Sequence, residues 1–295
     1  MLRRYLRRGK SDTLRPASTE QLMLRQFLHR LFPSDPLTPS LLRALVSRGH
    51  RRLYRLQKLA RRAASDTVVA GPFAGMRYTS RAIGSVLVAK LLGTYEMELT
   101  HLVERIITAD YTAVIDVGAA EGYYAVGLAK RMPAAHVIAF EAKTADHPVL
   151  LAMAEANGVR QRIELHGFCT PEALNRSMPA DRRTVVIFDI EGFEDELLDP
   201  RAVPALQHAD VLVELHDFVR PEVSQRIRDR FSPTHQILKI QSRPRVLADW
   251  PGLSGFDDEQ KLRAMHEGRP GVMEWFWMTA RQTTTAHSDD TLSPE

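Results

Sequence analysis

Val114-Ile115-Asp116-Val117-Gly118-Ala119-Ala120-Glu121-Gly122-Tyr123-Tyr124 is the stretch on which the reading of this chain turns. The apolar run Ala113-Val114-Ile115 predicts a buried parallel strand with Asp116 at its end. Gly118 and Gly122 carry no Cβ, so the backbone can turn sharply there and come close to a ligand. Tyr124, Leu128 and Met132 then recur at helical spacing, which predicts a helix from Tyr123 onward. Strand, glycine turn and helix together make a nucleotide-type site at the carboxyl edge of a parallel sheet. A plain structural turn is the competing reading of the motif taken alone.

Spacing separates the ligand classes. A dinucleotide site uses G-x-G-x-x-G, with backbone N–H groups and a helix N-terminus facing a pyrophosphate. Here the pattern is D-x-G-x-x-x-G, and the loop itself carries Glu121. Two carboxylates beside the glycines repel a diphosphate but suit a ligand bearing an amino group and a sulfonium, which is the profile of S-adenosylmethionine. Gly118, Ala119, Gly122 and Tyr123 would line it from the loop.

Beyond the loop, strands and helices alternate. His136–Phe140 is a second strand ending at Glu141, where an acid can accept both ribose hydroxyls. A helix over Asp146–Asn157 stops at Asn157-Gly158. Arg162–His166 is a third strand, followed by Gly167 and Phe168 where an adenine edge would lie. Val185–Phe188 leads into Asp189-Ile190-Glu191-Gly192, and Val211–Leu215 brings Glu214, His216 and Asp217. Ile237–Ile240 and Met273–Met278 close the sheet as an antiparallel pair. The predicted fold is α/β: a doubly wound, seven-stranded, mostly parallel sheet. Acids or a histidine at the ends of four strands then converge on one rim.

With those residues placed, Val114–Tyr124, Phe140-Glu141 and Phe188-Asp189-Ile190-Glu191-Gly192-Phe193-Glu194 resemble the FkbM-type branch of the class I S-adenosylmethionine-dependent methyltransferases, which have a Rossmann-like fold. Gly93-Thr94-Tyr95-Glu96 is also similar to that family, and it would make Glu96 part of the cofactor or substrate wall. A helix N-terminus with Glu96 against the dipole is the other reading of that segment. The resemblance covers roughly residues 90–220. It implies O-methylation of hydroxyls on sugars and other small molecules, without naming the acceptor.

Such a site must hold an attacking oxygen about 3–3.5 Å from the methyl carbon, in line with the breaking bond. A sugar hydroxyl is a weak nucleophile, and a general base typically contributes about 10²–10⁴ in rate. Two arrangements fit the residues. In the first, His216 takes the proton beside Asp189. In the second, Asp189 and Glu191, with Glu214 or His216, hold a divalent cation such as Mg²⁺ that polarises the hydroxyl.

The charge distribution sets the remaining expectations. The total is +4, yet residues 1–64 hold 16 Lys/Arg against three acids, so the other 231 residues carry −9. The expected organisation is a basic helical arm or cap over 1–64, a methyltransferase domain over 65–280 and a disordered tail over 281–295. Prolines at 33, 36 and 39 split the arm into amphipathic helices over Ser18–Phe32 and Ser40–Ala64. Their arginine faces suit an anionic membrane or an acidic partner, while their apolar stripes suit packing on the main domain. One cysteine, Cys169, precludes an internal disulfide, and with no membrane-length apolar run the expected location is the cytoplasm. The aromatic run Met273–Met278 is read as a core strand, with a sugar platform as the alternative. Three functional classes stand at this stage: a small-molecule or glycan O-methyltransferase, a nucleic-acid methyltransferase clamping phosphates with the arm, and a non-catalytic cofactor-binding scaffold. No Asn-Pro-Pro-aromatic motif follows the fourth strand, which disfavours nucleic acid.

Overall fold

Strand β1 (Ala113–Val117) lies in the interior of the sheet, and all five of its residues are buried. Asp116 is therefore inside the strand, one residue short of its end, opposite Ala139 on one side and Ile187 on the other. The neighbours β2 (His136–Phe140) and β4 (Thr184–Phe188) are both parallel to β1, which explains why these segments read as unbroken apolar runs. Outside them pair β3 (Ile163–His166) and β5 (Asp210–Leu215), also parallel. β7 (Glu274–Ala280) enters antiparallel between β5 and the edge strand β6 (His235–Gln241). The order is β3-β2-β1-β4-β5-β7-β6, a mostly parallel, Rossmann-like sheet. The structure, a computed structural model, describes residues 54–79, 82–83, 85–269 and 271–281. The readings of a helix over Ser18–Phe32, of most of the arm and of the terminal tail lie outside these residues.

Alternate strand residues face two different helical layers. Val114, Val137, Val185 and Leu212 pack with α2 (Thr100–Thr108), α3 (Tyr123–Arg131) and α4 (His147–Ala156). Ile115, Ile138, Val186 and Val213 pack on the other side with α5 (Pro171–Ser177), α6 (Glu194–Leu197) and α7 (Val223–Phe231). By this parity Asp116 and Glu214, two residues on from Val114 and Leu212, belong to the first face.

A third cluster joins α1 (Leu87–Leu92), α8 (Asp258–Met265) and the helical segment 54–64. Leu56, Leu59, Ala60 and Ala63 of that segment pack against Val88, Leu92, Ala264 and Met265. Trp275, Phe276 and Trp277 of β7 are buried, so this aromatic run is core and offers no ring face to a ligand. Among the described residues, no helix is long and apolar enough to cross a membrane.

Candidate active site

The glycine loop leaves β1 by two left-handed turns. Gly118 has φ +93°, and a Cβ there would fall far inside van der Waals contact with the Asp189 carbonyl oxygen. The N–H groups of Gly118 and Ala119 both donate to the carbonyl of Phe140, at 3.0 Å each, tying the loop to the end of β2. Gly122, at φ +92°, starts α3, and a Cβ there would meet Leu150 and Val126.

Three carboxylates gather around this loop. Asp116 is buried, and its Oδ2 has no hydrogen-bond partner. Burial raises its pKa to about 7, helped by the charges of Asp189 and Glu141 and opposed by the Ala125 N–H and Lys90. Glu141 accepts the N–H groups of Ala120 at 2.9 Å and Lys143 at 2.7 Å. Its own N–H donates to the His166 carbonyl, which sets Gly167 and the 65% exposed Phe168 immediately beside it. Asp189 follows β4, its N–H bonded to the Val117 carbonyl. Its side chain is 39% exposed, yet Oδ1 is closed to water and makes no hydrogen bond. That buried atom, with the neighbouring charge of Glu191, raises the carboxyl against the pull of His216.

His216 stands opposite. It is almost fully buried, with Nδ1 2.6 Å from Oε1 of the fully buried Glu194. Nε2 points to Asp189 Oδ1 at 3.8 Å and to Glu191 Oε2 at 3.7 Å. Burial works against a charged imidazole, but the Glu194 bond and charge, with Asp189 and Glu191, outweigh it and raise the pKa above the usual value. Glu191 is exposed and held at a left-handed φ of +55°. Ligand atoms of Asp189, Glu214 and His216 lie within 4.8 Å of one another, a spacing compatible with a cation. Glu214 is already bonded to Arg269 Nη1 at 2.5 Å; burial, with Asp189 and Glu96, still raises its pKa well above the usual carboxylate value. Glu96, at φ +48°, accepts from the Tyr124 hydroxyl and from Arg269. Burial, then Asp189, raises its pKa, although Arg269 opposes this.

Two of the expected cofactor residues are placed elsewhere. Glu121 has no exposure: it accepts from Tyr78 Oη and Lys90 Nζ, each at 2.5 Å, and from the Ile83 N–H at 2.9 Å. Burial opposes its charge, but Lys90 keeps its pKa below the usual value. Ala120, left-handed at φ +49°, precedes it in the turn. Tyr123 is buried edge-on against Phe73 and Tyr95, at ring separations of 5.2 and 5.6 Å. Both residues brace the loop from beneath. Conversely, sequence reasoning gave no partner role to Glu194, Lys90 or Arg269. Glu194 stands in the motif after β4 and reads as a helix-dipole acid; nothing near Arg269 signals that it meets Glu214 and Glu96 in space. A shallow cleft lined by Thr112, Ala135, His136, Arg162 and Arg182 lies at the opposite, amino-terminal edge of the sheet.

No family model matches the chain, and no curated protein matches it in sequence. Solved structures similar to it include the O-methyltransferase TomG from Streptomyces achromogenes, in complex with S-adenosylmethionine, at 14% identity over 90% of this chain and 100% of that one, TM-score 0.42. A precorrin-6y C5,15-methyltransferase from Geobacter metallireducens is 13% identical over 62% of this chain and 88% of its own, TM-score 0.41. A precorrin 8w decarboxylase from Methanobacterium thermoautotrophicum is 19% identical over 61% and 89%, TM-score 0.41.

Proposed function

We propose that this chain is an S-adenosylmethionine-dependent methyltransferase acting on a hydroxyl of a sugar, a glycan or another small molecule. The observation that carries the reading is the surplus of negative charge at one rim, centred on the buried and partnerless Oδ2 of Asp116. A carboxyl pushed to about 7 is a group short of a positive partner. A cationic ligand bearing a nucleoside fits the set: Asp116 and Asp189 for the positive groups, Glu141 for ribose, Gly167 and Phe168 for the base edge. The same reading includes the FkbM-type resemblance of 114–124, 140–141 and 188–194. When bound, S-adenosylmethionine supplies a methyl group on positively charged sulfur, which leaves as a neutral thioether.

The chain's own residues have two tasks. Asp116, Glu141 and Asp189 would hold the donor at the rim that His216 shares. His216 Nε2 then takes the acceptor's hydroxyl proton while the oxygen lone pair forms the new bond to carbon. The 4.8 Å grouping of Asp189, Glu214 and His216 supports a second arrangement, in which these residues hold a divalent cation that lowers the hydroxyl's proton affinity. The acidic rim disfavours a polyphosphate acceptor, so nucleic acid is the weaker alternative. Residues 1–64 remain the proposed contact for an anionic membrane or acidic partner.

Calorimetry with S-adenosylmethionine tests the reading directly. Binding by the parent chain, weakened tenfold or more in Asp116→Ala and Glu141→Ala, is the expected result; equal affinity in all three removes the site. Once an acceptor is in hand, His216→Ala should lower turnover at unchanged donor affinity. Sensitivity to a chelator would favour the cation arrangement.

A further inference from the structure

A histidine base has two ring nitrogens, and the site leaves one of them to the acceptor. Glu194 Oε1 lies 2.6 Å from His216 Nδ1 and accepts the Gly192 N–H at 3.1 Å. Glu194 is fully buried and its Oε2 has no partner, so this carboxylate is held only from the Oε1 side. An oxygen that already receives a backbone hydrogen acts as an acceptor, and the 2.6 Å contact is then an Nδ1–H donation. The neutral ring must therefore carry its proton on Nδ1. Nε2 is left with a lone pair, beyond hydrogen-bond distance of both Asp189 and Glu191. The Phe218 ring, centred 5.5 Å from the imidazole, covers another side of it.

We infer that Glu194 is the positioning residue of this site: it fixes the Nδ1–H tautomer of His216 and presents Nε2 as the ring's open proton acceptor at the rim. The geometry stands by itself; what Nε2 does there rests on the proposed methyl transfer. In that transfer the hydroxyl proton moves to Nε2, the oxygen lone pair makes the C–O bond, and the C–S electron pair leaves with sulfur. The resulting imidazolium lies between Glu194 within and Asp189 and Glu191 without, with the Glu214–Arg269 pair beyond them. Glu191, 65% exposed, gives the proton a way to water. A triad-like third group that orients a base through its far nitrogen is a known way to hold a histidine ready.

Long-range nitrogen-15 NMR spectra of the labelled full chain decide the matter without donor or acceptor. His216 signals are those missing from His216→Asn, and the pH is raised until they stop moving. The expected pattern is a protonated Nδ1 and a bare Nε2; an Nε2–H ring overturns the inference. In Glu194→Leu the tautomer ratio should move at least fivefold towards Nε2–H, and an unchanged ratio would reduce Glu194 to a packing role. If that variant does not fold, the parent spectrum decides alone. Loss of S-adenosylmethionine binding in calorimetry would end the functional reading while leaving the tautomer result intact, so the two failures are separable.

Discussion

Asp116 carries an electrostatic cost of burial that the proposed cationic donor would offset. Its pKa rises from 3.8 to about 7 on folding, so between those values the native state binds a proton that the unfolded chain has released. Stability from this group is therefore lost as pH climbs from about 4 to 7 and stays lost above. At about 1.4 kcal/mol per pKa step, the loss is a few kcal/mol at most. Asp116→Asn should raise stability by about 1–3 kcal/mol in alkaline buffer and leave it unchanged below pH 4, while weakening S-adenosylmethionine tenfold or more. Denaturant melts at the two pH values check the first part; a variant equally unstable at both contradicts it. The gathering of Asp116, Glu141, Asp189 and His216 at one rim was legible because each lies near the end of an apolar strand or directly follows it. Glu121 follows the left-handed Ala120 and lies buried against Tyr78 and Lys90, contacts across 43 and 31 residues of chain that the loop motif does not encode. Glu194 and Arg269 find their partners across 22 and 55 residues of chain, a pairing that no local spacing encodes.

At the scale of elements, the glycine loop joins β1, β2 and β4, and its geometry sets the rim. Gly118→Ala combines a left-handed φ with a Cβ forced into the Asp189 carbonyl. It should cost more than about 2 kcal/mol and displace Asp189. Gly167→Ala, where a Cβ meets nothing within 4 Å, should stay within about 0.5 kcal/mol. Equal melting temperatures for the two variants would contradict the role given to the loop. Beneath it, Lys90 of α1 neutralises the buried Glu121. Lys90→Met alone leaves that carboxylate uncompensated and should cost about 3–5 kcal/mol, whereas Lys90→Met with Glu121→Leu should recover most of the loss. Urea midpoints for the single and double variants measure the coupling. The inner parallel strands were legible to within a residue or two because burial on both faces leaves a continuous apolar signature. The lysine was not, because its helix, Leu87–Leu92, is buried throughout and shows no polar face to read.

Across the whole molecule, charge and hydropathy divide the chain differently. The composition break falls near residue 64, where the basic arm gives way to the acidic remainder. Packing carries the body further back, because 54–64 is helical and lays Leu56, Leu59, Ala60 and Ala63 on α1 and α8. Charge reports what faces water, whereas the fold follows the apolar stripe, and an amphipathic helix carries both messages at once. The stripe was legible at helical spacing; its docking site was not, since Val88 and Leu92 lie far along the chain from Ala264 and Met265. Ala60, with no exposed surface, is the sharpest probe of this packing. Ala60→Asp would bury an unpaired carboxylate between three helices and should cost about 2–4 kcal/mol. Lys58→Gln, on the exposed side of the same segment, should change stability by less than about 0.5 kcal/mol. S-adenosylmethionine affinity, read by calorimetry well below the melting temperature, should be the same in both variants, because none of these residues reaches the rim. If Ala60→Asp melts like the parent, the segment contributes nothing to the body, and the domain begins where the charge changes.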